Sequence, residues 1–395
     1  MNETQVEPTL IAHIVYSLDT GGLENGLVNL INRGTNDEFK HMVICLTNSG
    51  RFSRRITVAN VPIIELRKPA GHSLKTYRQL RRIIQRYRPQ IIHSRNLAAL
   101  ESQVATLGLL GVRRVHGEHG RDINDPQGTN WKYNALRRVS RLWIHQYFAV
   151  SRELSEWLTG RIGVPQERIV QQCNGVDCRD FSPRSGVNDP LPEIPSEFSG
   201  ATHKIIGTVG RLVPIKDQIT LIRAFSQAYS RLSEQGISAK LLIVGDGPLK
   251  PSLQREAEDL GIAEHCWFTG DRSDVNALLK RMDVFVLPSI AEGVSNTLLE
   301  AMATGLPVIS TAVGGAPDII EPSINGHLVS VGDTHAIASL IAKILSDSEN
   351  STLGDRARDK VDSEYSWPVT INRYLEVYRS LLINKSENNT KPQWH

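Results

Sequence analysis

Short apolar runs alternate with amphipathic segments along most of the chain. In the first half, each apolar run has the length of a β-strand, ends at turn-forming or polar residues and is followed by a helical pattern. The predicted strands are IAHIVYSL (11–18), HMVICLTN (41–48), VPIIELR (61–67), the run after Pro89, RRVHGEHG (113–120) and HQYFAVS (145–151). This alternation is typical of a parallel α/β sheet.

The alternation stops over residues 182–203, which are rich in Pro, Ser and Gly, and then starts again. Such a stretch indicates a linker. The later predicted strands are KIIGTVGRL (204–212), KLLIVGDG (240–247), HCWFTG (265–270), DVFVLPS (283–289), PVIST (307–311) and GHLVS (326–330). We therefore predict an α/β protein with two Rossmann-like domains, residues 1–190 and 200–366, and a disordered polar tail at 385–395.

The composition agrees with two ordinary globular domains. The chain has 395 residues, of which 40% are hydrophobic and 22% charged, and this length suits two separate cores. No apolar run is long enough to span a membrane, and the polar, acidic start argues against a signal peptide. The cysteines lack partners at metal-ligand spacing, which argues against zinc. We expect a protein of the reducing cytoplasm.

The net charge of +3 conceals an asymmetry between the two halves. Residues 1–200 hold 26 Lys and Arg against 19 Asp and Glu, and the remainder holds 19 against 23. A helix ending at Pro89 is especially basic, with Arg78, Arg81, Arg82, Arg86 and Arg88. This helix is either an ordinary surface helix or a patch attracted to anionic lipid headgroups. Nucleic acid is a poorer partner because the sequence has no aromatic platform or known binding module.

Polar residues with clear chemistry follow three predicted strands of the second half. Arg211 and Lys216 follow the first, Asp246 and Gly247 the second, and the segment EGVSNTLLEAMATGLPVISTAVGG (292–315) the third. Ligands of open α/β sheets bind beyond the carboxyl ends of strands. Two cations beside amides at a helix N-terminus can bind a diphosphate, and a carboxylate further along can accept hydrogen bonds from ribose hydroxyls.

These motifs resemble the retaining glycosyltransferases of the large family four, which have the GT-B architecture. The resemblance covers about residues 11–380 and rests on VGRLVPIK, VGDGPL, FTG, the segment that starts at Glu292, NGHLV, and the glycine loop Gly21-Gly22-Leu-Glu24. It implies two Rossmann-like domains that face a cleft, with the C-terminal helix at about 367–384 joining the first domain. The string VHGEHGRDINDPQGTNWKY resembles sugar transferases of bacterial exopolysaccharide clusters, those associated with exosortase systems.

The resemblance implies a role for each matching residue in the second domain. Arg211 and Lys216 would bind the diphosphate and stabilise it as it leaves. Glu300 would hold the ribose, and Glu292 would lie near the donor sugar. The turn with Asp246 and Gly247 would lie near the base. The backbone that contacts the sugar and phosphate would be that of Gly293, Val294, Ser295, Asn296 and Thr297.

In the first domain, the resemblance implies that His119 contacts the donor sugar. Gly21 and Gly22 would let the loop approach the phosphates, because glycine has no side chain in the way. The implied catalytic residues are thus Glu292, His119, Arg211 and Lys216. Two positions depart from the family pattern, since Val294 stands where Phe or Pro is frequent and Cys173 where Pro is common.

The expected reaction is transfer of a sugar from a UDP- or GDP-sugar to an acceptor hydroxyl, with retention of configuration. The sequence has no Asp-x-Asp motif at a strand end, so we expect no metal and no cofactor besides the co-substrate. The expected partners are the donor, a glycan or lipid-linked acceptor and the anionic inner face of the cytoplasmic membrane. The alternatives are a related sugar-nucleotide epimerase and a silent nucleotide-sugar-binding protein.

Overall fold

A computed structural model of the chain describes residues 7–19, 21–120, 125, 128–184, 194–199, 203–346 and 351–388. The chain divides into two compact units, Met1–Asn174 with Trp367–His395, and Gly175–Ser366. Each unit is built on a parallel sheet with helices in the crossover connections. The predicted fold class, α/β with two Rossmann-like domains, is confirmed.

Within the described residues, the first unit has a seven-stranded sheet with the order β3-β2-β1-β4-β5-β6-β7. Its strands are β1 (Thr9–Val15), β2 (Phe39–Cys45), β3 (Ile63–Glu65), β4 (Ile91–Arg95), β5 (Arg113–Glu118), β6 (Gln146–Ala149) and β7 (Ile169–Gln171). Its helices are α1 (Gly22–Gly34), α2 (Leu74–Tyr87), α3 (Asn96–Leu100), α4 (Trp131–Ser140), α5 (Arg152–Trp157) and, after the second unit, α14 (Trp367–Asn388). Short 3-10 helices lie at Arg51–Arg55, Glu101–Thr106 and Gln166–Arg168, and a π-helical turn at Leu158–Ile162.

The second unit has a six-stranded sheet in the described residues, with the order β10-β9-β8-β11-β12-β13. Its strands are β8 (Lys204–Val209), β9 (Ala239–Val244), β10 (Cys266–Phe268), β11 (Val284–Leu287), β12 (Val308–Thr311) and β13 (His327–Val329). Its helices are α6 (Ser196–Ser199), α7 (Gln218–Glu234), α8 (Lys250–Asp259), α9 (Val275–Leu279), α10 (Asn296–Ala303), α11 (Ala316–Ile319), α12 (Thr334–Ser346) and α13 (Ser351–Glu364). The 3-10 helices are Pro214–Lys216 and Ala263–His265.

Both faces of the first sheet are covered, which is why its central strands are apolar almost throughout. On one face, Tyr374 and Tyr378 of α14 pack with Ile11 and Phe39 of the sheet. On the other face, Leu80 of α2 belongs to the buried cluster of the sheet residues. Burying side chains of this size contributes about 1.5–3 kcal/mol each. Helix α14 is thus part of the core of the first unit although it follows the second unit in the chain.

The boundary between the units lies earlier than the sequence pattern predicts. The predicted first domain ends at residue 190, whereas the first compact unit ends at Asn174. The Val176 amide donates to the Tyr365 carbonyl at 2.9 Å, and Arg358 Nη2 donates to the Cys178 carbonyl at 2.8 Å. The chain therefore packs on the second unit as soon as Asn174 is passed, before the Pro- and Gly-rich stretch begins.

Parts of two predicted segments lie outside the described residues. These parts are residues 185–193 and 200–202 of the predicted linker and residues 389–395 of the predicted tail. Helix α14 continues to Asn388, beyond the start of the predicted tail at 385. In the described part of the chain, no helix combines the length and the apolar character needed to cross a bilayer.

Candidate active site

The predicted donor residues lie at the centre of the second sheet. Strands β8 and β11 are neighbours there, with β9 and β10 on one side of this pair and β12 and β13 on the other. Ligands of open parallel sheets bind at the carboxyl ends of strands at such a point. Arg211 and Lys216 follow β8, and Glu292 follows β11. The sheet order therefore brings the two predicted cations and the predicted carboxylate to one edge.

The loops after β8 and β9 pack tightly on each other. The Leu212 amide donates to the Asp246 carbonyl at 2.9 Å. A Cβ atom at Gly247 would clash with the Leu212 carbonyl, so only glycine allows this approach. The contact fixes the backbone beside Arg211. The Arg211 side chain is exposed and makes no ion pair with a described residue, so its charge is available to a ligand.

Asp246 has a local structural contact of its own. Its Oδ1 atom accepts a hydrogen bond from the Gly247 amide at 2.7 Å. Lys250, one helical turn further on, holds its Nζ atom 3.6 Å from Asp246 Oδ2. The carboxylate stays exposed at the end of β9. A contact with the nucleotide base remains a prediction.

Lys216 and Glu292 form an ion pair in the structure. Lys216 Nζ lies 2.5 Å from Glu292 Oε1, and the two side chains are only 20% and 11% exposed. Ser289 Oγ donates to the same oxygen at 2.6 Å. Partly buried charges need such partners, because an unpaired one loses hydration without compensation. A bound phosphate would compete with Glu292 for the Lys216 ammonium.

The loop that carries Glu292 is held by the turn after β12. The Gly315 amide donates to the Gly293 carbonyl at 2.6 Å. Gly314 has a φ of +54°, and a Cβ there would clash with the carbonyls of Glu292 and Gly293. The Val294 side chain lies over Gly315, which leaves no room for a Cβ at that position either. Both glycines belong to the quoted segment, but the sequence does not reveal that they support the glutamate.

Helix α10 begins directly after this loop. Ser295 is its N-cap, and its hydroxyl accepts from the Leu298 amide at 3.4 Å. The Ser295 and Thr297 hydroxyls are 3.0 Å apart. The positive end of the helix dipole favours anions at this point. The predicted phosphate-binding backbone of residues 293–297 therefore surrounds a helix N-terminus.

Glu300 lies on α10, just over one turn after its N-terminus. No described residue donates a hydrogen bond to its carboxylate. Burial of most of the side chain raises the pKa of Glu300 to about 7. The side chain is still partly exposed, so a ligand can reach it. A carboxylate that has lost its hydrating water without gaining a hydrogen-bond donor favours a ligand whose hydroxyl groups can donate to it.

In the first unit, His119 directly follows β5. Its amide donates to Asn96 Oδ1 at 2.8 Å. Both ring nitrogens are buried and have no partner in the described structure. Burial, followed by the nearby charge of Arg95, lowers the pKa of His119 to about 3. His119 is therefore a neutral imidazole that can exchange hydrogen bonds with a sugar hydroxyl.

The glycine loop after β1 leads into α1. Gly21 is the N-cap of the helix, and a Cβ there would clash with the Glu24 carboxylate, which folds back over the loop. The Gly22 carbonyl accepts from Asn174 Nδ2 at 3.3 Å. The structure thus shows Gly21 making room for a side chain of the first turn of α1. An approach of Gly21 and Gly22 to phosphates remains a prediction.

A buried polar cluster lies below this loop and is not apparent from the sequence. Arg95 ends β4, is 3% exposed and donates from Nη1 to His13 Nδ1 at 2.9 Å. His13 Nε2 and His41 Nδ1 are 2.8 Å apart, and His93 Nδ1 lies 2.7 Å from the Tyr378 hydroxyl. Within the described residues, no carboxylate lies at ion-pair distance from Arg95. The sequence does hold one signal of this cluster, because histidines occur at the same face of neighbouring strands.

Glu118, which precedes His119, has a structural role. Its oxygens lie 2.6 Å and 3.2 Å from Arg137 Nε and Nη2. Burial alone would raise the pKa of Glu118, but the Arg137 guanidinium outweighs it and the pKa falls to about 2. The resulting buried pair holds α4 against the end of β5. Over the described ranges, no three His, Cys, Asp or Glu side chains meet as a metal site.

Family models match both halves of the chain. One, described as "Glycosyl transferases group 1", matches residues 203–347. The other, described as "Glycosyltransferase Family 4", matches residues 20–180. The two matches include every predicted site residue.

Individual proteins agree with the family models. The chain is 31% identical over 301 residues to the Escherichia coli (strain K12) protein named "Putative colanic acid biosynthesis glycosyltransferase WcaL", which covers 72% of this chain and 68% of that protein. It is 29% identical over 273 residues, 69% of this chain and 68% of the relative, to N-acetyl-alpha-D-glucosaminyl L-malate synthase of Bacillus anthracis. The crystal structure of Anabaena Alr3699/HepE in complex with UDP matches with a TM-score of 0.79, at 20% identity, over 94% of this chain and all of that one. The chain therefore belongs to the group 1, family-four glycosyltransferases and has the GT-B fold.

Proposed function

We propose that this glycosyltransferase moves a sugar from a nucleoside-diphosphate donor to an acceptor hydroxyl with retention of configuration. The donor is a UDP- or GDP-hexose, and the product belongs to an exopolysaccharide or another cell-surface glycan. The E. coli relative named for colanic acid biosynthesis supports this setting, and the Anabaena structure with UDP supports the donor class.

The main support for the proposal is the order in which the charged groups and the helix N-terminus follow one another around α10. The Lys216–Glu292 pair lies before the helix, the helix N-terminus follows at Ser295, and Glu300 lies further along. At about 1.5 Å rise per residue, Ser295 and Glu300 are separated by about 7.5 Å along the helix axis. This order matches sugar, diphosphate and ribose along an extended nucleotide sugar.

The charges near β8 and β11 suit departure of the diphosphate. As the bond from the anomeric carbon to the phosphate oxygen breaks, negative charge grows on that oxygen. Lys216, Arg211 and the α10 N-terminus stabilise this charge. The acceptor oxygen bonds to the same face of the anomeric carbon, and its proton passes to the departing phosphate oxygen.

We propose a mechanism without a covalent sugar–enzyme intermediate, in which Glu292 has an orienting role. One of its oxygens accepts from both Lys216 and Ser289, which holds the carboxylate in place. In retaining glycosidases, by contrast, one of two carboxylates that flank the scissile bond attacks the anomeric carbon. In our proposal Glu292 instead orients the lysine and the hydroxyls of the donor sugar, and His119 contributes a neutral imidazole to the same sugar.

We further propose that the enzyme needs no divalent metal, because Arg211, Lys216 and the N-terminus of α10 would supply the positive charge that stabilises the diphosphate. Its place of action is the cytoplasm, at the inner face of the membrane where lipid-linked acceptors are found. The excess of Lys and Arg in the first half of the chain supports this location.

A panel of UDP-, GDP- and ADP-sugars tests the function. With the correct pair, nucleoside diphosphate is released in the presence of acceptor, chelator does not slow the release, and NMR of the product shows the anomeric configuration of the donor. An altered sugar nucleotide without transfer would indicate an epimerase. Binding without turnover would indicate a silent binding protein, and an inverted product would refute retention.

A further inference from the structure

A cavity of the second unit lies at the sheet edge opposite to the proposed donor site. It encloses about 360 Å³, a volume within the range of small-molecule pockets. Lys204 at the start of β8, Asp283 just before β11 and Thr304 shortly before β12 line it. These three strands are parallel neighbours in the sheet, so their amino ends form one edge. We call this space the amino-edge cavity.

The amino-edge cavity is separate from the donor site. Arg211 and Glu292 follow the carboxyl ends of β8 and β11, whereas Lys204 and Asp283 lie at the amino ends of the same strands. At about 3.3 Å per residue, the two ends of β8 are about 17 Å apart. A ligand of this cavity therefore does not occupy the place of the donor diphosphate.

Positive charge predominates around the cavity. The described residues that line it include one acid, Asp283, and the cations Arg184, Lys204, Lys280 and Arg281. Lys204 Nζ lies 3.0 Å from Asp283 Oδ1, and the Ile205 amide donates to Asp283 Oδ2 at 2.8 Å. The acid and Lys204 thus neutralise each other. Arg184, Lys280 and Arg281 are then three cations in excess among the lining residues.

Two of these three cations are close enough to repel each other. Burial lowers the pKa of Arg281, and the charge of Arg184 lowers it further, whereas the Asp283 carboxylate opposes this change. Arg281 is half-buried, so water screens its charge less than that of a fully exposed side chain. An anion bound between Arg184 and Arg281 would replace this repulsion with attraction.

Helix ends account for only part of the positive charge. Lys280 is the C-cap of α9 and Thr304 is the C-cap of α10, and a helix C-terminus favours a nearby cation. Each helix end is equivalent to about half an elementary charge. Two helix ends therefore balance about one of the three cations, and the other two still require an anion.

We propose that the amino-edge cavity binds the phosphate group of a small molecule. A phosphate has several oxygens that can accept hydrogen bonds from guanidinium and ammonium groups at the same time. The buried side chains of Met282 and Leu306 give the cavity an apolar wall, against which the rest of the ligand can pack. A nucleic acid fits less well, because its phosphates follow an extended backbone, whereas these cations surround one compartment.

Phosphorus NMR of the full chain tests the proposal. The probes are inorganic phosphate and glycerol phosphate, each titrated in the presence of saturating UDP. Wild type is expected to broaden the signal of each probe, and salt is expected to weaken this binding. A lower Kd for glycerol phosphate would identify a phosphate ester as the occupant, and equal constants would identify the phosphate group alone.

Arg184→Gln and Arg281→Gln should each raise the Kd of the probes about ten-fold, because each variant removes a charge-assisted hydrogen bond. Arg184 is exposed, so its replacement tests the proposal even if the Arg281 variant does not fold. The matched control is Arg255→Gln, which removes an exposed arginine of α8 outside the cavity lining. This control should bind both probes as wild type does, and circular dichroism verifies that each variant is folded.

Three results would overturn the proposal. The first is no binding of either probe by wild type, and the second is equal binding by the Arg184, Arg281 and Arg255 variants. The third is binding that Arg211→Gln abolishes while Arg184→Gln and Arg281→Gln keep it, because the phosphate would then lie in the donor site.

The proposed phosphate site does not depend on the proposed function, and the two fail separately. If no nucleotide sugar binds but phosphate binding requires Arg184, the amino-edge site stands and the proposed function does not. If sugar transfer proceeds and neither probe binds, the reverse holds.

Discussion

At the scale of single residues, Lys216 gives the sharpest test of the leaving-group role. It pairs with Glu292 in the structure, and a departing diphosphate would draw it away as charge develops. We expect Lys216→Ala to lower kcat by about 100- to 1000-fold, the usual effect of losing one donor to a developing oxyanion. Steady-state kinetics over a range of donor concentrations measures it.

A lysine at the other end of the same strand is the control. Lys204 begins β8, and its Nζ atom lies 3.0 Å from Asp283 Oδ1. Lys204→Ala removes an equivalent charge far from the proposed donor and should leave kcat unchanged. If Lys216→Ala raised only KM, the lysine would bind ground state and transition state equally, and the leaving-group role would be refuted.

The raised pKa of Glu300 should make nucleotide binding depend on pH. Burial raises its pKa to about 7, and the ionised form accepts ribose hydroxyls better than the protonated form. The affinity for UDP or GDP should therefore rise as the pH rises from 6 to 8 and level off above the pKa. Calorimetric titration at several pH values measures this change. The Glu300→Gln variant should bind more weakly and lose the part of the pH dependence that comes from this carboxyl.

The same residue affects the stability of the ligand-free protein in the opposite sense. The folded-state pKa of about 7 exceeds the ordinary value of 4.5. Stability is therefore lost as the pH rises through this interval, by at most about 3 kcal/mol. Above pH 7, Glu300→Gln should raise the melting temperature while it weakens nucleotide binding. An equal or lower melting temperature would show that the carboxylate is not strained by burial.

At the scale of elements, the turn after β12 supports the loop that carries Glu292. A Cβ at Gly314 would strain a φ of +54° and also strike two carbonyls of that loop. Gly314→Ala should therefore cost more than the 1–3 kcal/mol typical of backbone strain and should weaken donor binding as well. Chemical denaturation and donor titration measure the two effects.

The Gly332→Ala variant separates the effect of backbone strain from the effect of the steric clash. Its φ of +74° is similarly strained for alanine, but nothing lies within 4 Å of the added Cβ. Gly332→Ala should show the backbone cost alone and leave donor binding intact. Equal losses of stability and binding in both variants would contradict the supporting role of the turn.

The elements themselves are largely predictable from the sequence, but their contacts are not. Parallel strands buried on both faces give continuous apolar runs, which is why β1 and β8 are evident. The unit boundary is missed because the contacts of Val176 with the end of α13 leave no mark in composition. The buried cluster of Arg95 and the histidines is not predicted from the sequence. These polar residues lie within apolar strands, and burial of those strands in the sheet already accounts for the pattern.

Site residues divide in the same way. Arg211, Lys216, Glu292 and Glu300 are predicted as site residues from strand ends and the family resemblance. The pairing of Lys216 with Glu292, by contrast, depends on which strands are neighbours in the sheet. The glycines that hold the loop depend on how closely two backbones approach. The spacing of residues in the sequence gives neither the distance between Lys216 and Glu292 nor the distance between the two backbones.

At the scale of the whole molecule, α14 connects the end of the chain to the first unit. Trp367 and Tyr378 are buried in its core, and the Tyr378 hydroxyl lies 2.7 Å from His93 Nδ1. Ending the chain after Ser366 would expose that core and leave the polar cluster beneath α14 open to water. The second unit, Gly175–Ser366, would keep all of its own residues.

We therefore expect the chain shortened to residues 1–366 to unfold in two separate steps. The first unit should melt at a much lower temperature than in wild type, while the second unit should keep a transition that UDP or GDP raises, because ligand binds only its folded form. Differential scanning calorimetry with and without nucleotide identifies each transition. A chain that ends after Asn388 retains α14 and should melt as wild type does. A single unchanged transition in the shorter chain would show that the first unit folds without α14, and loss of the nucleotide-raised transition would show that the second unit depends on it.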